Sequence, residues 1–321
     1  MELTQLRYLM AISETGNFTR AAERCGVSQP SLSQQIINLE RELGQKLLHR
    51  LGRKAVPTEA GKIFMERARS ILLEVESASR ELKDSPTLER RIKVGTVPTL
   101  APYLLPPVLK RCRENHPNLL INTHEDFRHD LLKGVVDGDL DLAIVPLPIN
   151  DRRVVMEQLF HEDLMLVVDR NHPLATKPDI TARDLASESF VLLGHSSTLA
   201  MEIERFCGDH DFTPRLGHRC SQISTVKALV GLGTGISILP RLAILPQDAA
   251  TLVYRDLSGR VPTRELVVVR HLQRYQTKGS VQFLKELRAT VAALVAAGKI
   301  NREGMVPTTL ASGAAPAALK P

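Results

Sequence analysis

The sequence predicts an α+β multidomain chain: an N-terminal winged helix-turn-helix, a long linker helix, and then an α/β region. Three observations predict it. Residues 17–43 read as two short helices joined by a tight turn, Phe64 to Leu82 carry a heptad pattern, and beyond Pro86 short apolar strands alternate with helices. The boundaries that follow are 1–58, 59–87 and 92–300. Residues 301–321 form a tail rich in Ala, Pro and Thr with no aromatic side chain, a composition that stays disordered.

At 321 residues the chain can bury two or three separate cores. Its 42 Lys and Arg against 36 Asp and Glu leave a net charge of +6, which permits a nucleic-acid partner without requiring one. The N-terminus MELTQLRYLM lacks the pattern of an export signal, and no run approaches the roughly 20 apolar residues of a membrane span. A cytoplasmic protein without a membrane partner is expected. Cys25, Cys112, Cys207 and Cys220 are scattered without metal-ligand spacing, so free thiols are expected and no metal site or cofactor.

Leu3, Leu6, Leu9, Met10 and Ile12 recur at near-helical spacing and predict a first helix over residues 2–15. Phe18, Ala21 and Ala22 give the second helix an apolar face with small residues, and Gly26 ends it. The third starts at Pro30, with Ser28 or Gln29 as its cap, and Leu32, Ile36, Leu39 and Leu43 form its inward stripe. That leaves Gln29, Pro30, Ser31, Ser33, Gln34, Asn38 and Arg41 facing outward or flanking, a set of amides, hydroxyls and one cation suited to base edges and phosphates. Arg50, Arg53 and Lys54 flank a turn at Gly52 and read as a basic wing that neutralises phosphates, or else as a solvated surface turn.

Thr58 caps a long helix in which Phe64, Ala68, Ile71, Val75, Ala78 and Leu82 follow at intervals of 4, 3, 4, 3 and 4. At 1.5 Å per residue this seam is about 27 Å long, enough for a helix-to-helix dimer contact. Packing against the chain's own second domain is the alternative. After Pro86 the pattern predicts strands at 92–95, 119–123, 141–145, 164–168, 190–193, 215–220, 236–239 and 266–270. Helices are predicted at 103–114, 129–136, 200–207, 224–231 and 280–297.

With these pieces in order, the chain to about residue 300 resembles the LysR-type transcriptional regulators. The N-terminal pattern carries the likeness: Ala21-Ala22, Ser28-Gln29-Pro30, Leu39-Glu40, Leu43-Gly44, and Thr58 with Gly61. The resemblance implies double-stranded promoter DNA as a partner, self-association into dimers or tetramers, and RNA polymerase as a further partner. It also implies two Rossmann-like regulatory subdomains of the periplasmic-binding-protein type II kind, at 92–162 with 267–300 and at 163–266. A small effector would bind in the cleft between them. The places implied for it are Thr96, Pro98, Thr99 and Leu100 after the first strand, and His195, Ser196, Ser197 and Thr198 at the start of a helix. Arg128, His129 and His218 would add positive charge nearby, and the turn at Pro146 would line the pocket or act as a hinge. Such an arrangement suits a carboxylate or another small anion.

Within that family the regulatory region resembles the peroxide-sensing group typified by OxyR, through Pro98-Thr99, Pro102 to Pro106, Phe206-Cys207 and Gly233 to Ile236. That group uses a reactive cysteine nine residues before a resolving one. Cys207 stands at the resolving position, but the residue nine earlier is Thr198, whose hydroxyl forms neither sulfenate nor disulfide. A thiol-based switch is therefore the second reading, behind an effector-responsive regulator. A solute-binding module or an enzyme stands further back. Gly194-His195-Ser196-Ser197-Thr198 lacks the second glycine of a nucleophile elbow, and Gly231 to Gly235 is not a dinucleotide fingerprint.

Overall fold

The computed structural model describes residues 1–52, 54–83 and 90–300. Arg53, the last residues of the expected linker and the expected tail at 301–321 lie outside them. The chain divides into two compact units, one built on residues 1–90 with 271–278 and the other on 91–270 with the segment from 279 onward.

In the first unit, α1 (Leu3–Thr15), α2 (Phe18–Cys25) and α3 (Gln29–Leu43) precede a two-stranded wing, β1 (Leu48–Leu51) and β2 (Lys54–Pro57), and α4 (Glu59–Lys83). Leu6, Leu9, Ile12, Ala21, Ala22, Leu32, Ile36 and Leu39 make the core, each at most 2% exposed, whereas Leu3 is 40% exposed and stays outside it. Asn17 Oδ1 accepts from Thr19 N at 2.8 Å and Arg20 N at 3.1 Å, which fixes where α2 begins. Gly26 closes α2 at φ 68°, a backbone angle that costs glycine nothing and lets α3 start three residues later. Ser28, not Gln29, is the α3 cap: its Oγ accepts from Ser31 N at 3.3 Å. Thr58 caps α4 by accepting from Gly61 N at 2.9 Å, and its hydroxyl donates to Lys46 O at 2.6 Å.

The second unit continues in chain order with β3 (Arg90–Thr96), α5 (Ala101–Asn115), β4 (Leu119–Glu125), α6 (Arg128–Asp137), β5 (Leu142–Pro146) and β6 (Val154–Asp169). Short helices α7 (Pro173–Thr176) and α8 (Ala182–Leu185) lead to β7 (Ser189–Leu193), α9 (Thr198–Gly208), β8 (Arg215–Cys220) and α10 (Ile223–Gly231). Strands β9 (Ser237–Pro240), β10 (Leu252–Arg255) and β11 (Thr263–His271) and helix α11 (Lys278–Ala296) complete it. Among the described residues one seven-stranded sheet runs β10-β6-β11-β5-β3-β4 with β9 also on β6, and β7 and β8 form a parallel pair.

Two apolar cores flank this framework. One gathers Ile92, Val94, Leu104, Leu131, Ile144, Val268, Phe283 and Leu287, and the other gathers Leu166, Phe190, Leu192, Ile203, Val226, Ile238 and Leu252. The sheet crosses between them through β6 and β11. The sequence places a strand only at 164–168 and none at 252–255, but β6 is continuous over 16 residues. Glu157, Gln158, His161 and Glu162 interrupt its apolar run. Glu162 is nevertheless fully buried, because Arg264 on β11 compensates its charge across the sheet, an effect that periodicity does not register.

Candidate functional sites

On the first unit, Gln29, Pro30, Ser31, Gln34 and Arg41 of α3 are exposed and Asn38 is half-buried. Gln34 Nε2 donates to Asn38 Oδ1 at 3.0 Å, one turn along the same face, so the two amides are held side by side. Ser33 corrects the expectation that it faces outward: it is only 9% exposed. The buried stripe of α3 comprises Leu32, Ser33, Ile36, Leu39 and Glu40, and a count of apolar residues alone misses its two polar members.

Glu40 lies outside the expected site yet controls the wing. Its Oε1 accepts from Leu47 N at 2.9 Å and Leu48 N at 3.2 Å, and its Oε2 pairs with Lys46 Nζ at 2.8 Å. A carboxylate 5% exposed is thereby fully supplied with donors, and β1 is tied to the inner face of the helix whose outer face carries Gln34. Arg50 and Lys54 are exposed on the wing.

The expected dimer seam divides along α4. Ala68 is fully buried and Phe64 is packed in the core of the chain's own first unit, so neither is a free seam position. Ile71, Val75 and Leu82 are 38%, 37% and 89% exposed, and Ala78 is exposed too. The heptad count runs through both stretches because one helical stripe serves intramolecular packing first and solvent-facing positions later.

In the second unit a cavity of about 270 Å³ opens between the loop after β3, the start of α6, the ends of β7 and β8, and the start of α9. Of the expected effector residues, Pro98, Thr99, Ser196, Ser197 and Thr198 line it. Thr96 and Leu100 do not: both are fully buried, Thr96 as the last residue of β3 and Leu100 within the apolar core. His129, His195 and His218 are exposed and outside the lining, and Pro146 is buried in β5, its carbonyl accepting from Arg128 Nη1 at 3.5 Å. The cations at the wall are Arg128, which the resemblance implies, and Arg219, the neighbour in sequence of the expected His218. The β7–β8 register shifts between Phe190 and Val191, and such a slip changes which side chains share a face.

Val97, Pro98, Phe127 and Leu193 make much of this wall apolar, and Arg128 and Arg219 are its charged groups. Arg219 holds its place by donating to Leu193 O at 3.1 Å and Glu204 Oε1 at 2.8 Å. Burial lowers the pKa of Arg128, an effect opposed by the charge of Glu202. Ser197 caps α9 in position but its side chain makes no capping hydrogen bond, and no Asp or Glu is among the lining residues. Thr99 Oγ1 accepts from Arg264 Nη1 at 3.0 Å, Arg264 Nε donates to Glu162 Oε2 at 2.9 Å, and Glu162 Oε1 accepts from Leu242 N at 2.7 Å. With its oxygen already accepting, the Thr99 hydroxyl has a proton to donate.

Cys112, Cys207 and Cys220 are buried free thiols. Cys207 is fully buried, and its pKa is pushed up to about 12, first by burial and then by the charge of Glu204. Burial and then Glu286 push Cys112 up to about 11, and burial alone raises Cys220, which lines the cavity. Among the described residues no His, Cys, Asp and Glu group could hold a metal ion, and no helix is long and apolar enough to cross a membrane.

Comparison with known proteins agrees with both units. Residues 3–62 match the bacterial regulatory helix-turn-helix protein family of the lysR type, and residues 86–292 match the LysR substrate binding domain. The chain is 35% identical over 251 residues to the DNA-binding transcriptional dual regulator OxyR of Escherichia coli, covering 77% of this chain and 81% of that protein. It is 33% identical over 270 residues to the Hca operon transcriptional activator HcaR of the same organism, covering 84% and 91%. A full-length OxyR variant from Pseudomonas aeruginosa superposes with a TM-score of 0.70 at 26% identity, covering 91% of this chain and 94% of that one. A helix-turn-helix with a docked wing, followed by an α/β unit with a donor-lined cavity, is thus the arrangement of DNA-binding regulators rather than of enzymes, and the chain belongs to the LysR family of transcriptional regulators.

Proposed function

We propose that this regulator binds double-stranded promoter DNA as a homodimer or homotetramer and alters transcription when a small anion, most simply a carboxylate, fills the cavity of its second unit. The observation that carries the effector class is the wall itself: Arg128, Arg219 and the start of α9 supply donors, and no carboxylate lines it. Anions at a helix start are favoured by the free N–H groups and the dipole together. Gln29, Ser31 and Gln34 would read base edges and Arg41, Arg50 and Lys54 would hold phosphates. The exposed stretch Ile71 to Leu82 supports pairing of two copies through α4. RNA polymerase is the further partner of such a regulator, and the cytoplasm its place of action.

A thermal-shift comparison of small carboxylic acids with their neutral amides tests the effector. At 100 times its Kd a fitting acid stabilises the native state by about 2.7 kcal/mol. Arg219→Ala is expected to weaken that binding at least tenfold, the scale of a charge-assisted hydrogen bond of about 1.5–3 kcal/mol. Amides that stabilise as well as their acids would refute the anion assignment.

Relatives named for peroxide response support a thiol switch as a second reading. Thr198 in place of a thiol and the raised pKa of Cys207 weigh against it. At pH 8 a thiol of pKa about 12 is roughly one part in ten thousand thiolate, so native Cys207 is expected to resist alkylation for hours while the unfolded chain reacts at once. Rapid native labelling of Cys207, with loss of a peroxide response in Cys207→Ser, would restore the thiol switch to first place.

A further inference from the structure

Phe18 opens α2 on the same corner of the first unit that receives the wing. The Arg50 guanidinium sits over the Phe18 ring, its central carbon 4.6 Å from the ring centroid. Four features fix the geometry. Phe18 is half-buried against the helical core, and Asn17 fixes the start of its helix. Ala55, the cross-strand partner of Arg50, donates its N–H to Gly16 O at 2.8 Å. Glu40 ties the start of β1 to α3.

Among the described residues the Arg50 side chain makes no hydrogen bond or ion pair. An aromatic face attracts a cation through its quadrupole but offers no oxygen acceptor. The contact therefore restrains the long side chain while its N–H donors stay available to a phosphate fork. Without the ring, Arg50 would have to be ordered at the moment of binding, at the expense of affinity.

We infer that Phe18 is a positioning residue for DNA binding, holding Arg50 of the wing in place for a backbone phosphate. This rests on the phosphate role assigned to Arg50 above. The strength of an exposed cation–π contact corresponds to about a two- to fivefold change in affinity.

The test is a double-mutant cycle in the full chain, with binding to a duplex of arbitrary sequence followed across a salt series. Phe18→Leu is expected to weaken binding about two- to fivefold in the Arg50 background and to cost nothing further in the Arg50→Ala background. Phe18→Tyr keeps the ring and should bind within about twofold of the parent. Arg50→Ala should make the dependence of log K on log salt shallower by about 0.9. Equal losses from Phe18→Leu in both backgrounds would reduce Phe18 to a packing residue and overturn the positioning role alone. An unchanged affinity and slope in Arg50→Ala would remove the phosphate contact itself, and the positioning role with it.

Discussion

Glu162→Ala is expected to destabilise the second unit by about 3–5 kcal/mol, the usual cost of removing one partner from a buried ion pair. Both members are deeply placed, Glu162 fully buried and Arg264 4% exposed, and the carboxylate also accepts from Leu242 N. Truncation leaves the guanidinium without its counter-charge in a medium that solvates it poorly, and it leaves one backbone N–H without an acceptor. The pair itself is not a large net source of stability. A Glu162→Leu and Arg264→Met double variant should therefore recover most of the loss. Urea unfolding monitored by far-ultraviolet circular dichroism gives both values. A loss below about 1 kcal/mol in Glu162→Ala would mean that water reaches the site. The double variant also separates stability from function, since it leaves Thr99 at the cavity without the donor that orients its hydroxyl.

Gly61→Ala is the second change with a large expected effect. A Cβ built at Gly61 falls 2.0 Å from Leu47 O and 2.9 Å from its carbonyl carbon, both backbone atoms that cannot rotate away. Leu47 O is also the acceptor for Thr58 N at 3.0 Å, so relief requires α4 to withdraw from the segment that launches the wing. Overpacking ordinarily costs 1–3 kcal/mol, and a backbone-to-backbone clash belongs at or above the top of that range, about 3 kcal/mol. The expected result is a lowered melting transition together with weakened DNA binding. A Gly61→Ala variant that melts and binds like the parent would show that α4 does not pack this closely.

Much of this architecture was legible in the sequence because its causes are local. The Thr58 cap, the glycine that ends α2, and the 4-3-4 stripe of α3 act through neighbours within a turn or two. They determined the helix-turn-helix, the wing and the alternation of strands and helices. The family pattern located the loops around the cavity, and five of the expected residues line it together with Arg128. Other features were decided only by contacts between segments distant in the chain. Ser33 and Glu40 are buried because α3 packs against the other helices and Lys46 to Leu48, and hydrophobicity scales give polar side chains no inward tendency. Arg219 rather than His218 lines the cavity, held there by Leu193 O and by Glu204, which lie 26 and 15 residues away in the chain. Glu162 sits inside a strand because Arg264, 102 residues later, neutralises it. A sequence records which side chains can be buried, but a buried charge or an inward serine depends on a partner that only the folded chain brings within hydrogen-bonding distance.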